Sequence, residues 1–376
     1  MKKLCFVMLC MCVINAVAQP GENKRAPYEF TKLKENAAGQ IENQSATGTC
    51  WSFATMSFLE SEIIRLGNKP VDLSEMYNVR IAYLKKADSY LRYQGKQQFS
   101  AGGLSHDVIT VMDEHGIVPE SAFVGLPDGK KEYNHSGMDT SLEKIMKEIL
   151  DKKSIDGSVE WKADVEQILN SSIGVAPSAF QYEGKEYSPS SFRDAMKLKA
   201  SDYVTLTSFQ HHPFYKSFVL ELPDNWGKGT YYNLPLDDFQ KVMDHAIDNG
   251  FTVAWDADVS EKGFSFRNGI GILPDDQVKK DELFTKVAME KVVTQQNRQE
   301  EFDNFKTTDD HLMHITGKAK DQNGTIYYLT KNSWGPDNLY GGYQYVSRNY
   351  FQMKTIGIMV HKDAIPREIR NKLGIQ

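Results

Sequence analysis

Gln44-Ser45-Ala46-Thr47-Gly48-Thr49-Cys50-Trp51-Ser52-Phe53-Ala54 is the stretch on which the fold turns, because Cys50 is the one cysteine left once residues 1–18 are set aside. A lone thiol closes no internal disulfide, so it serves packing or reactivity. From Cys50 onward Phe53, Ala54, Ser57, Phe58, Ile64 and their neighbours recur at three- and four-residue intervals up to Gly67, which predicts a helix opening at Cys50. The partial positive charge and free N–H groups of a helix start favour a thiolate, so this position predicts a lowered thiol pKa. A thiolate is the form that attacks carbonyls. For an isolated cysteine the competing reading is an inert side chain at the start of a core helix.

The other cysteines, Cys5, Cys10 and Cys12, lie in a short apolar run behind Lys2-Lys3, and Ala16-Val17-Ala18 follows with the small-x-small pattern of a signal-peptidase site. Residues 1–18 are therefore expected to be a signal peptide, with a mature chain starting at Gln19. Leu9 and Met11, not small residues, precede Cys10 and Cys12, so no lipid anchor is expected. The run is also shorter than the ~20 residues that span a bilayer. The expected location is periplasmic or secreted. Residues 19–39 read as an N-terminal extension, polar and irregular to about Ala37, too short for a long inhibitory pro-segment.

A net charge of -6, without a basic block, argues against nucleic acid or an anionic membrane as partner and leaves peptides or small molecules. No repeat or low-complexity linker divides the chain. No metal-ligand cluster or phosphate-binding loop is visible, so neither metal nor cofactor is expected.

Gln44 stands six residues before Cys50 with Gly48 between, so its amide can swing back beside the sulfur. With the Cys50 backbone N–H it would offer two donors to an oxyanion, worth about 3 kcal/mol each in acyl transfer. A thiolate nucleophile also needs a proton carrier among the nine histidines. His211-His212 read as loop residues and His245 as a helix-surface residue, while His106, His115, His135 and His361 show no polar partner pattern. His311 and His314 differ: they lie on a strand, and a second strand, 325–330, follows the turn Asp321-Gln-Asn-Gly324 and runs into Lys331-Asn332-Ser333-Trp334-Gly335. Side chains alternate along a strand, so only one of the two histidines can face Asn332, and hairpin register favours His311. Asn332 would hold the imidazole in its working tautomer, and Trp334 would cover that bond from water.

Taken in order, Gln44, Gly48-Thr-Cys50-Trp51-Ser-Phe-Ala54, Asp310-His311 and Asn332-Ser-Trp-Gly335 resemble the oxyanion glutamine, nucleophile helix, base and orienting asparagine of papain-like cysteine peptidases. Gly102-Gly103 resembles the strip that pairs with substrate backbone in that family, and Leu73-Ser74-Glu75 its second-helix start. The 261 residues between Cys50 and His311, and Thr47 where a bridging Cys is usual, look like the bleomycin hydrolase and aminopeptidase C branch. The resemblance implies an α+β, two-lobed fold over residues 40–376. One helical lobe carries the nucleophile, a β-barrel-like lobe carries the histidine and asparagine, and a long insertion occupies roughly 120–290. It also implies Gly102, Gly103 and Trp334 as substrate-contacting residues, peptides as substrates and a possible hexameric assembly. In that branch a C-terminal arm captures the substrate's free amine. Here only about ten residues follow Val360-His-Lys-Asp-Ala-Ile-Pro366, so a short or absent arm is expected.

The expected chemistry is amide hydrolysis through an acyl-enzyme on Cys50, with aminopeptidase activity weakened by the short C-terminus. An exported endopeptidase with an open cleft is the alternative. A transglutaminase-type acyltransferase would want an Asp as third member, a binding-only relative would have lost Cys50 or His311, and a redox thiol protein would show Cys-x-x-Cys.

Overall fold

The computed structural model describes residues 27–127, 129–153 and 160–376. The expected signal peptide and its cleavage before Gln19 lie outside the described residues.

Helices dominate from Cys50 to Ala195: α1 (Cys50–Arg65), α2 (Glu75–Arg92), α3 (Ser105–His115), α4 (Ser136–Asp151), α5 (Glu160–Ser172) and α6 (Pro189–Ala195). Trp51, Phe58, Met76, Val79, Val108 and Leu142 interleave there in one apolar core. α1 is buried along most of its length, as its near-continuous small and apolar residues require. Ser74 caps α2, its Oγ accepting the Tyr77 N–H at 3.1 Å.

Strands dominate elsewhere, apart from the hairpin β2 (Phe180–Tyr182) and β3 (Lys185–Tyr187) inserted before α6: β1 (Thr31–Glu35), then β4 (Tyr203–Thr207), β5 (Ser217–Val219), β6 (Thr230–Asn233), β7 (Val253–Ala257), β8 (Phe264–Ser265), β9 (Ile270–Gly271), β10 (His311–Lys320), β11 (Ile326–Lys331), β12 (Tyr343–Ser347) and β13 (Thr355–His361). Among the described residues eleven strands join in one sheet, ordered β5-β6-β4-β13-β7-β10-β11-β12-β9-β8, with β1 on β10. Helices α7 (Leu236–Asp248), α8 (Gln295–Asp303), α9 (Arg348–Lys354) and α10 (Arg367–Leu373) accompany it. Phe239, Trp255, Met313, Tyr328 and Phe351 fill the second core. Ala254, Leu312 and Met359 face the other way and join the helical core, so the two lobes meet along β7, β10 and β13.

Two expectations need correction. Residues 31–35, read as irregular, form β1, antiparallel to β10 from Thr31 opposite Lys320 to Glu35 opposite Gly317. An edge position leaves most of Thr-Lys-Leu-Lys-Glu in solvent, which is why the segment looked like a polar loop. Asn36 extends the attachment by donating to Ile247 O at 3.0 Å and Phe251 O at 2.7 Å. His245, read as a surface residue, is partly buried and bonds Ala364 O through Nδ1 at 2.8 Å. Residues 367–376 stay on the sheet lobe: Leu373 lies in its core, Ile375 packs on it and Lys372 meets Asp238 on α7 at 3.4 Å.

Candidate active site

Cys50 is the first residue of α1 and is partly exposed. Its N–H has no acceptor within the helix, as for any residue of a first helical turn. The preceding loop is pinned from both sides. Ala46 exchanges backbone bonds with Tyr133 and His135 at 3.1 and 3.3 Å, and the Trp51 indole donates to Ala101 O at 3.0 Å. Gly48 is needed there, since a Cβ would stand 2.7 Å from the Ala101 methyl.

The two distant motifs are stitched together by backbone. Gln44 N–H donates to Ser333 O at 2.8 Å, Gly335 N–H donates to Glu42 O at 3.1 Å, and Asn43 bridges Trp334. The Gln44 amide is fixed by both ends. Ser333 Oγ donates to its Oε1 at 2.7 Å, and its Nε2 donates to Thr47 O at 2.8 Å, leaving the second N–H of that nitrogen free.

His311 Nε2 lies 2.9 Å from Asn332 Oδ1. The Ser333 backbone N–H, which can only donate, reaches the same Oδ1 at 2.7 Å, and Asn332 Nδ2 donates to Gln344 Oε1 at 2.7 Å. These two bonds settle the amide orientation. Nε2 of neutral His311 therefore carries the proton and Nδ1 is the basic nitrogen. Trp334 stacks on the imidazole with centroids 4.4 Å apart, and Phe264 and Phe266 pack edge-on against the indole. Burial pushes His311 down to about 4, against the opposing pull of Asn332 and Asp310.

His314 is elsewhere. It is fully buried, with Nδ1 at 2.9 Å from Ser57 Oγ on α1, and Lys331 Nζ donates to the same hydroxyl at 2.8 Å.

For Cys50 the structure reverses the expected direction. Burial pushes its thiol up to about 12, and the carboxylates of Asp256 and Asp309 add to the rise. The backbone N–H groups of Leu312 and Trp51 pull the other way without prevailing. A helix start is thus outweighed by tertiary burial, and a lone thiolate is disfavoured here. The Leu312 contact sets the beginning of β10, and with it His311, against the sulfur.

Gly102 and Gly103 form the floor beside α1. A Cβ on Gly103 would sit 3.0 Å from the Trp51 ring, and one on Gly102 would sit 1.9 Å from Asp224 Oδ2. Below them lies a residue that sequence reading did not find. Lys86 on α2, 2% exposed, donates to Ser100 O at 2.9 Å and to Gly102 O, with its ammonium 5.6 Å from the centroid of the Trp51 ring. Gln344 was missed as well. Neither has a local signal, since each becomes relevant only through partners 12 or more positions away. Among the described residues, His211, His212 and Glu221 are the one group whose spacing would suit a metal, with His211 and Glu221 exposed and His212 partly buried.

A family model described as the Peptidase C1-like family matches residues 8–375. Aminopeptidase C of Listeria monocytogenes is 24% identical over 375 residues, covering 89% of this chain and 83% of that protein. Aminopeptidase G of Lactobacillus delbrueckii subsp. lactis is 21% identical, covering 96% and 90%. The crystal structure of PepW from Lactobacillus rhamnosis superposes with a TM-score of 0.71 at 20% identity, over 92% of this chain and 84% of that one, which shows a shared fold.

Proposed function

The chain belongs to the Peptidase C1-like family and is a cysteine-type peptidase of papain-like fold, and from that premise we propose that it cleaves peptides as an aminopeptidase with Cys50, His311, Asn332 and Gln44 as its machinery. The observation that supports the assignment is the Nε2-to-Asn332 bond, which leaves Nδ1 as the basic nitrogen of His311, the chain neighbour of the Leu312 whose N–H reaches the Cys50 sulfur. The high thiol and low imidazole pKa values mean that neither group charges alone. The proton leaves the sulfur as Nδ1 receives it, and each new charge stabilises the other. Sulfur attacks the scissile carbonyl, and the free N–H of Gln44 and the Cys50 N–H hold the oxyanion. His311 then protonates the leaving amine and, after its departure, activates the water that frees the acyl group. Gly102, Gly103 and Trp334 line the substrate's path.

The similarity to two enzymes described as aminopeptidases supports the exopeptidase part of this reading. Cys50→Ala is expected to abolish turnover with the fold intact by circular dichroism. Peptide cleavage by that variant overturns the nucleophile. Comparing aminoacyl substrates with free and acetylated N-termini tests the rest, and equal cleavage would indicate an endopeptidase with an open cleft. Export through residues 1–18 belongs to the same proposal, and a mature N-terminus at Gln19 on sequencing checks it. Among the described residues no helix is long and apolar enough to cross a membrane.

A further inference from the structure

We propose that Asp224, Asp256 and Asp309 form a subsite beside Cys50 for a positively charged ammonium group of the substrate. This rests on the peptidase reading above and names the chemistry its cleft selects.

Register places the first carboxylate. Asp256 on β7 is paired with Leu312 on β10, the residue whose N–H reaches the Cys50 sulfur. Paired residues of an antiparallel ladder share a face, so Asp256 points toward the α1 side with Leu312. It is 4% exposed, and among the described residues no N–H or other fixed donor reaches either of its carboxyl oxygens or Asp309 Oδ2, so the two carboxyl groups can hydrogen-bond only to each other, by sharing a proton. The two carboxyl groups adjoin each other. Asp309 also faces outward, lining with Asp224 an open cavity of about 640 Å³ whose wall includes Glu221 and Asp303 together with Phe302 and Phe305, and no lysine or arginine.

Asp224 ties this cavity to the glycine strip. Its Oδ1 accepts from Gln98 Nε2 at 2.5 Å and from Ser100 Oγ at 3.4 Å, whereas its Oδ2 lies where a side chain of residue 102 would begin. Lys86 is the cation acting on Asp224, but its ammonium is turned to the Ser100 and Gly102 carbonyls. The cluster thus holds more carboxyl groups than cations in a place where substrate backbone would pass.

Buried carboxyl groups with no donor but a proton shared between them are costly, and like charges side by side cannot both ionise. Burial pushes Asp309 up to about 7 and Asp256 well above the usual carboxylate range, with each carboxyl opposing the other's charge. An arriving ammonium removes both penalties, because it supplies three donors and a positive charge at once. Two substrate groups have this chemistry: a free α-amino terminus, and a lysine side chain on the acyl side of the scissile bond. If the pair is only a structural dyad sharing a proton, its removal leaves charge preference untouched.

The full mature enzyme and its Asp224→Asn, Asp256→Asn and Asp309→Asn variants are assayed with alanyl-aminomethylcoumarin, its N-acetyl form, acetyl-lysyl-alanyl-aminomethylcoumarin and the norleucyl counterpart of the last. Wild type is expected to prefer the charged member of at least one pair. In the variants KM for that member should rise roughly tenfold to a hundredfold, the worth of a charged hydrogen bond, so that the preference collapses. Collapse in the first pair identifies the α-ammonium, and collapse in the second the lysine side chain. Asp224→Asn, at a partly exposed position, keeps the test decisive if a buried variant fails to fold. The proposal is overturned if wild type shows no charge preference, if preference survives in the folded variants, or if charged and neutral probes lose equally. A free-amine preference that survives all three substitutions sinks the subsite and leaves the aminopeptidase reading standing. A response confined to the lysyl pair does the reverse.

Discussion

His311 and Asn332 are joined by a 2.9 Å bond from Nε2 to Oδ1, and the Ser333 N–H held on the same oxygen decides which imidazole nitrogen is basic. Losing the amide frees the ring to adopt the wrong tautomer. Asn332→Ala should therefore lower kcat about tenfold to a hundredfold with little change in KM, as for other groups that orient a catalytic side chain. Gln344→Leu, which removes the acceptor of Asn332 Nδ2, should show a smaller loss of the same kind. A fall confined to KM in either variant would contradict the orienting role.

Gln44 offers a sharper kinetic signature. Its amide is held between Ser333 and Thr47, so its free N–H is preorganised before substrate arrives. Deleting one such donor from an oxyanion site costs about 10²–10³ in kcat. Gln44→Ala is expected to fall in that range with KM within a few-fold of wild type, measured on the substrate that wild type cleaves best. Ser333→Ala, which loosens the amide without deleting it, should lie between the two.

These functional residues differ in how legible they were. The spacing of Phe53, Ala54, Ser57 and Phe58 behind Cys50 announces a buried helix, and the hairpin from His311 to Asn332 keeps its two partners within 21 positions, so local rules suffice to bring them together. Thr31–Glu35 failed to announce itself because an edge strand buries little and needs no apolar alternation. The thiol's pKa failed for a deeper reason. A helix dipole is a property of one element, whereas what outweighs it is burial in the packed fold together with Asp256 and Asp309, which stand some 200 or more residues away in sequence. Lys86, Gln344 and Asp256 are ordinary letters in ordinary elements, and only the packed lobes give them partners.

The buried base predicts an unusual acid limb. With Trp334 stacked over it, charged His311 is penalised and its pKa falls to about 4, while Asp310 and Asn332 act in the opposite sense. A base with a depressed pKa stays unprotonated until the pH drops through that value. On a neutral acylated substrate kcat/KM should hold through pH 6.5, where an ordinary histidine titrates at about half, and decline near pH 4. Trp334→Ala admits water, relieves the penalty on the imidazolium and should move the limb upward. A wild-type limb already at about pH 6.5 would remove the burial argument.

Stability should depend on pH through Glu60, which is 3% exposed on α1. Its Oε1 accepts the Leu73 N–H at 3.0 Å, and burial pushes the carboxyl up to about 8. The groups acting on it are Glu42 and Asp72, which add to the rise, and the Lys331 ammonium, which opposes it without prevailing. The folded state thus holds a proton that the unfolded chain, with an ordinary carboxyl near pKa ~4.3, gives up sooner. Its contribution is complete below the unfolded value and is lost as pH rises through the folded one. Between pH 5 and 8 this residue alone should lower stability by up to about 1.4 kcal/mol per pH unit, a Tm drop of roughly 2 °C or more per unit. Glu60→Gln keeps the shape and the acceptor for Leu73 but cannot ionise, so its Tm should fall less steeply over that range. Melting curves of both proteins at pH 5, 6, 7 and 8 decide the point, and parallel slopes would show that Glu60 is not the titrating group.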